Sequence, residues 1–371
     1  MTVAVTYYSF IMMTRREFLR QATVAGVVVV ATSFQLTHAS KTATGAASTP
    51  RRAAVVQTVL GPLDVSELGF TLTHEHIGGW TPDFSRKWPE SFGGKAGFVA
   101  RAVDKLKAVR AEGVSTVVDL SPYDVERDVR FFEEVSQKSG MHIVACTGQH
   151  LFPPESMIAC TTEQLTEFFI KEIEQGIDGT GIKAGVIKVA THSDGVTAFE
   201  EKALRAAARA SKATGVPIET HTHARRRGGE KQVAIFEAEG VSPSRVSLGH
   251  SDDTDDIDYL AGLLKRGYTL GMDHINRGLK SGSQLPWQKR AECIKQLVDA
   301  GFVDKIFLSN DSEFSSSLLP EEARDEREKT NPDGMLFNTR KLIPYLKQIG
   351  VSDREIHAIT IDNPRRFFSR S

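Results

Sequence analysis

Two histidines, His74 and His76, stand two positions apart in the segment GFTLTHEHIGG, directly after an apolar stretch and before a glycine pair. Alternate residues of a β-strand share one face, so both imidazoles can point to the same side. Neutral imidazole is a common ligand of divalent metal ions. The pair therefore suggests a metal centre, provided that other parts of the chain supply the remaining ligands.

Five further residues that could hold a metal or move a proton are associated with other apolar stretches. Lys188 lies inside one such stretch, and the other four follow the ends of separate stretches: His221, His250, His274 and Asp311. One histidine at the end of a strand is weak evidence of a metal ligand, but the whole set together is strong evidence of a metal centre. Imidazole and carboxylate suit Zn, Mn, Co or Fe, and no cluster of thiols competes with them.

The apolar stretches read as eight strands separated by helical patterns. The first helical pattern is an apolar stripe of 3.6-residue period that runs from Phe98 to Val109 and stops at Gly113, and a second one stops at Gly215. The predicted strands are FTLTHEH near 70, VSTVVDLS near 114, MHIVACTG near 141, AGVIKVAT near 184, PIETHTH near 217, VSLGHS near 246, YTLGMDHI near 268 and KIFLSND near 305.

Eight strands that alternate with helices predict an α/β fold, a (β/α)8 TIM barrel, in which the carboxyl ends of all strands meet at one mouth. The rival is an open doubly wound sheet, which usually has a glycine-rich phosphate loop after its first strand, and THEHIGGW is not such a loop. Ahead of the barrel we expect a short N-terminal β-hairpin that turns at Gly61 and Pro62.

The first 50 residues have the pattern of an export signal. Arg15 and Arg16 precede a weakly apolar run from Ala22 to Phe34, which is too short to span a bilayer. We expect residues 1–50 to be a twin-arginine signal peptide and flexible leader, and residues 51–371 to be one barrel domain. The protein would then be periplasmic, or membrane-associated and facing the periplasm, with no other membrane contact.

Composition excludes some partners and sites. The 371 residues are 40% hydrophobic and 25% charged, and the formal net charge is −1. This balance gives no electrostatic argument for binding nucleic acid or an anionic membrane. The three cysteines, Cys146, Cys160 and Cys293, match no zinc ribbon and cannot form a disulfide framework.

The chain resembles the bacterial phosphotriesterases (aryldialkylphosphatases) of the amidohydrolase superfamily from about Val56 to its end. The segments that carry the resemblance are FTLTHEHI, GIKAGVIKVAT, ATGVPIETHT, SPSRVSLGHSDDTDD, GMDHI, SNDSEF and NPDGM. The resemblance implies two divalent metal ions, with Zn first and Co, Mn or Fe as alternatives, bridged by a carboxylated lysine and a hydroxide. The implied metal ligands are His74, His76 and Asp311 for the more buried ion, His221 and His250 for the more exposed ion, and carboxylated Lys188 between them.

The same resemblance implies a reaction: the hydroxide attacks phosphorus in an organophosphate triester. Asp311, His274 and Asp253 are the implied catalytic residues, and they would carry the released proton away in that order. The implied substrate is a small-molecule ester, and relatives of this kind imply a homodimer.

The loops that would choose the substrate depart from the family pattern. His150 and Leu151 stand where the best-known members have bulky aromatic residues. A lactonase or carboxylesterase with weak phosphotriesterase activity is therefore an alternative, and a metal-bearing binding protein without turnover is a third. The expected substrate-binding residues are Trp80, Tyr123, Val125, His150, Leu151 and Phe314.

Overall fold

The computed structural model describes residues 54–77, 90, 94–125, 127–279, 283–312 and 331–369. The expected leader, Trp80 and Phe314 lie outside these residues. None of the helices in the described ranges is long and apolar enough to cross a membrane.

An antiparallel hairpin opens the described chain, with strands β1 (Val55–Thr58) and β2 (Gly61–Asp64). The prediction of a turn at Gly61 and Pro62 was wrong, because both residues belong to β2. The turn lies at Val59 and Leu60, where the Thr58 hydroxyl donates to the Gly61 carbonyl and accepts the Leu60 N–H. Gly61 has a φ of +108°, which a residue with a side chain rarely adopts.

Eight parallel strands follow, and each is hydrogen-bonded to its neighbours in chain order. The backbone N–H of Asp311 donates to the carbonyl of His74 at 3.0 Å, and that of His76 donates to the carbonyl of Ser312 at 3.0 Å, which joins the first strand to the chain after the last. The predicted barrel is confirmed. Its strands are β3 (Phe70–Glu75), β4 (Val114–Asp119), β5 (His142–Gly148), β6 (Val186–Ala190), β7 (Ile218–His221), β8 (Val246–Leu248), β9 (Thr269–Met272) and β10 (Ile306–Leu308).

Helices alternate with the strands. The apolar stripe predicted from Phe98 to Val109 is the buried face of the first helix, and Gly215, in the left-handed conformation, ends the fifth helix. The helices are α1 (Lys95–Ala111), α2 (Val129–Ser139), α3 (Glu155–Ile158), α4 (Thr162–Glu174), α5 (Ala198–Thr214), α6 (Gly228–Glu239), α7 (Ile257–Lys265), α8 (Trp287–Asp299), α9 (Ile343–Gln348), α10 (Asp353–His357) and α11 (Asn363–Phe368).

Glu75, at the end of β3, helps to close the barrel. Its fully buried carboxyl group accepts hydrogen bonds from the Ser309 hydroxyl at 2.7 Å, the Asn310 N–H at 2.8 Å and the Ser312 N–H at 2.9 Å. Burial raises the pKa of Glu75 to about 8, although these donors oppose the shift. The contacts tie β3 to the chain after β10, directly beside the histidine pair.

Candidate metal centre

His74, His76 and Asp311 form the first cluster of possible metal ligands. His74 is 1% exposed at its place in β3, and His76 is the second residue after it. The Asp311 Oδ1 lies 3.1 Å from His76 Nε2 and 3.6 Å from His74 Nε2, so three ligand atoms face one small space. Asp311 has a φ of +45°, a strained backbone conformation of the kind that functional sites retain.

His221 and His250 form a second cluster. His221 ends β7, and His250 follows β8 with a left-handed φ of +57°. The His250 Nε2 lies 2.8 Å from the His221 Nδ1, so the two ring nitrogens point toward each other. The ring centroids of His250 and His74 are 4.8 Å apart, which places this pair beside the first cluster.

A buried carboxylate that the sequence analysis missed connects the two clusters. Asp273 Oδ2 lies 2.7 Å from His74 Nδ1, and Asp273 Oδ1 lies 2.8 Å from His250 Nδ1. A neutral histidine that donates from Nδ1 keeps its Nε2 lone pair free, so this one carboxylate orients a ligand of each cluster. The available signal was an acidic residue next to His274 at the end of β9.

Glycine makes room for this carboxylate. A Cβ added at Gly271 would lie 2.8 Å from Asp273 Oδ2, and one added at Gly249 would lie 3.2 Å from both Asp273 Oδ2 and His74 Nδ1. A side chain at Gly271 would force the carboxylate to move, and one at Gly249 would also meet the Thr220 carbonyl at 2.3 Å.

Lys188 lies against the first cluster, fully buried in β6, with its Nζ 2.8 Å from His74 Nε2. Burial lowers the pKa of Lys188. Burial likewise holds the pKa values of His74, His221 and His250 well below their ordinary range. Neutral imidazoles beside a carboxylate, with an amine that loses its proton easily, are a donor set that fits a divalent metal.

A chain of hydrogen bonds leads away from Asp311. Its Oδ2 lies 2.8 Å from His274 Nε2, and His274 Nδ1 lies 2.9 Å from Asp253 Oδ2. The buried Arg290 guanidinium donates to Asp253 Oδ1 at 2.7 Å. Burial alone would lower the pKa of His274, but the hydrogen bonds and charges of Asp253 and Asp311 raise it to about 9. The three residues predicted to carry a proton are therefore in contact in the predicted order.

The sequence analysis also missed Arg277. Its Nη2 donates to Asp311 Oδ2 at 2.7 Å, and 45% of its side chain is exposed. This arginine lies in a short 3-10 turn (Ile275–Leu279) directly after His274, just beyond the matching segment GMDHI.

A mostly apolar pocket of about 450 Å³ opens beside the second cluster. It includes two of the expected substrate-binding residues, and the His150 ring lies edge-on to the His221 ring at 5.0 Å. Tyr123 and Val125 lie in the turn after β4 and are not part of its lining. Besides His150, the lining consists of the apolar Leu151, Phe152, Pro153, Ile158 and Phe199 and the polar His192, Thr197 and Glu200.

The fold and this site define a (β/α)8 barrel with histidine and carboxylate groups at its mouth that can hold metal. The chain belongs to the phosphotriesterase family, a metal-dependent, hydrolase-like family whose sequence profile matches residues 54–368.

Two relatives and one solved structure show the extent of the similarity. A phosphotriesterase homology protein of Mycobacterium tuberculosis is 37% identical over 326 residues, covering 85% of this chain and 98% of that protein. An aryldialkylphosphatase of Saccharolobus solfataricus is 34% identical over 311 residues, covering 83% and 97%. The solved structure of the phosphotriesterase from M. tuberculosis matches with a TM-score of 0.78 at 37% identity, covering 85% of this chain and 98% of that one.

Proposed function

We propose that the protein is a binuclear-metal hydrolase that cleaves organophosphate triesters. The observation that carries the proposal is the meeting of six side chains, from the ends or interiors of five separate strands, around one small space at the barrel mouth. These are His74, His76, Lys188, His221, His250 and Asp311. The aryldialkylphosphatase relative supports the choice of substrate class.

The first cluster would hold one ion and the second cluster the other, with Zn as the first expectation and Co, Mn or Fe as alternatives. When bound, the two ions supply a nucleophile at neutral pH by lowering the pKa of water, and they polarise the ester oxygen. The protein's own part is to orient the ligands through Asp273 and to remove a proton.

Proton removal follows the hydrogen-bonded chain. Asp311 Oδ1 faces the ligand histidines while its Oδ2 faces His274, so the carboxylate can take a proton from the reacting group and pass it outward. His274 would receive this proton, and Asp253 would hold the resulting imidazolium in place. Burial raises the pKa of Asp253, but the hydrogen bonds with His274 and Arg290 outweigh burial and hold this pKa well below its usual range. Asp253 therefore stays anionic beside a charged His274.

We further propose that Lys188 is carboxylated. A neutral buried amine adds carbon dioxide to form an N–C bond and releases one proton, which gives an anionic carbamate between the two clusters. Lys188→Ala should then lose metal, and added short carboxylic acids should partly restore metal content by replacing the carbamate. Full metal content in Lys188→Ala without added acid would refute the bridging role.

The function is tested with metal-loaded protein, paraoxon and an acyl-homoserine lactone assayed in parallel. The alternative is a lactonase or carboxylesterase, which the apolar pocket favours because its aliphatic wall at Leu151 can take an acyl chain as well as an aryl ring. A lactone preference of about a hundredfold or more in kcat/KM would decide for the alternative. Bound metal without turnover of either ester would indicate a binding protein.

The leader and the assembly complete the proposal. We propose export by the twin-arginine route to the periplasm, which is tested by replacing Arg15 and Arg16 with lysine and following the mature protein in cell fractions.

We propose a homodimer, which light scattering of the purified protein would test.

A further inference from the structure

We propose that the natural substrate carries an anionic oxyacid group, a carboxylate or a sulfonate, and that Arg277 binds it. This inference rests on the proposed hydrolase function, because it names the class of ester that the same site accepts. A simple dialkyl aryl phosphate has no such group, so the inference restricts the substrate beyond the reaction type.

Arg277 is held at the mouth by two contacts. Its backbone N–H donates to the carbonyl of His274 at 2.8 Å, which folds the turn back over the barrel. Its Nη2 donates to Asp311 Oδ2 at 2.7 Å, on the side of that carboxylate that faces away from His76. Asp311 can therefore hold Arg277 while its Oδ1 remains directed at the histidines.

One contact uses only part of the guanidinium. A guanidinium offers about five N–H donors in a rigid fork that matches an oxyanion, and anchoring reduces the entropy lost when a ligand is bound. In the described part of the chain the Arg277 guanidinium binds no other acceptor, and 45% of the side chain is exposed, so its remaining donors can face a ligand at the mouth. An arginine in this position is suited to a substrate anion rather than to structural support alone.

A second guanidinium lies on the same side. Arg225 donates from Nε to the backbone carbonyl of Asp253 at 2.7 Å and from Nη1 to Gln284 Oε1 at 2.6 Å. Within the described residues it forms no ion pair, whereas its neighbour Arg227 is paired with Glu230 and Asp256. The positive charge of Arg225 is thus not cancelled by direct contact with a carboxylate.

The opposite side of the mouth is a mostly apolar pocket, although its lining also includes the polar His150, His192, Thr197 and Glu200. The pocket is built by the loops after β5 and β6, and in a closed barrel of eight strands these lie nearly across from the loop after β9 that carries Arg277. Phe152 is 71% exposed and Ile158 is 48% exposed, and both line this one pocket, so exposed apolar surface is gathered there. The site therefore suits an amphiphilic ester with an apolar group on one side and an anion on the other.

The test compares two esters that differ in charge but not in shape: diethyl 4-carboxyphenyl phosphate and diethyl 4-carbamoylphenyl phosphate. Each kcat/KM is divided by the rate of hydroxide-catalysed hydrolysis of the same ester, which removes the difference in leaving group. The holoenzyme should prefer the carboxylate by about tenfold or more, as expected for a charge-assisted hydrogen bond. Sulfonate and sulfonamide esters of the same design identify which oxyacid is preferred.

Substitutions then assign the preference to a residue. Arg277→Gln should bring the ratio of the two esters to about one, and Arg277→Lys should keep part of the preference. The matched control is Arg227→Gln, which removes an arginine whose partners, Glu230 and Asp256, are not among the proposed metal ligands, and it should leave the ratio unchanged. An unchanged ratio in Arg277→Gln, with both esters still hydrolysed, would overturn the inference.

A binding measurement separates this inference from the proposed function. Diethyl 4-carboxybenzylphosphonate and its carbamoyl analogue have no cleavable aryl ester, and their binding is followed by calorimetry. Preferential binding of the carboxylate that disappears in Arg277→Gln, without hydrolysis of any ester, would support the anion site and reject the hydrolase. Ester hydrolysis with equal binding of both phosphonates would support the hydrolase and reject the anion site.

Discussion

Asp273→Asn gives the sharpest test of the metal centre, because one side chain orients a ligand of each cluster. The two oxygens of Asp273 accept from His74 Nδ1 at 2.7 Å and from His250 Nδ1 at 2.8 Å. An amide has only one oxygen, so it can accept from one histidine, while its NH2 group faces the N–H of the other. That histidine must then change its tautomer or rotate, and either change turns its Nε2 lone pair away from the centre.

The loss of one orienting contact of this kind typically costs about 10- to 100-fold in metal affinity. Asp273→Ala removes both contacts and should weaken metal binding more than Asp273→Asn does. Because His74 and His250 belong to different clusters, the two variants taken together should weaken metal binding at both clusters.

The assay is a zinc titration of metal-free protein in competition with a chelator, with circular dichroism to confirm folding. Asp253→Asn is the matched control, since the Asp253 side chain hydrogen-bonds with His274 and Arg290 but with none of the six proposed ligands. Zinc affinity within about twofold of the parent protein in a folded Asp273→Asn variant would refute the reasoning, because no orienting contact would then have been lost.

Three other changes have defined expectations. Asp253→Ala should lower kcat unequally for good and poor leaving groups with metal content unchanged; loss of metal would instead make this residue structural. Arg127→Ala should cost about 3–5 kcal/mol in urea unfolding, because the buried Arg127 binds both oxygens of Glu172, and a loss below about 1 kcal/mol would contradict that account. Burial raises the pKa of Glu219 well above its ordinary value, and within the described residues neither of its carboxyl oxygens has a partner. The Glu219 carboxyl group therefore destabilises the fold increasingly as the pH rises above the pKa of a glutamate in the unfolded chain. Glu219→Met should therefore raise the free energy of unfolding of the metal-free protein more at pH 8 than at pH 5, and equal effects at the two pH values would show that the carboxyl group is not the cause.

Much of the fold could be predicted from the sequence because the signals are local. The apolar stripe of α1 repeats at the helical period, and the strands are short apolar stretches that alternate with helices. Once a barrel is inferred, its topology brings every strand end to the same mouth. This is why His74, His221 and Asp311, far apart in the chain, could be expected to meet.

Other features depend on contacts that no local pattern encodes. The hairpin turn falls at Val59 and Leu60 because the Thr58 side chain closes it, not because glycine and proline follow.

The sequence by itself determined which groups are present, where the strands that carry them run, and toward which end of the barrel they point. Only the tertiary structure decided that Asp273 reaches His74 and His250 together, and that Arg277 turns back to Asp311. These contacts join loops from different strands, and their distances depend on how strands twist and pack side by side. Periodicity along one chain carries no information about that lateral geometry.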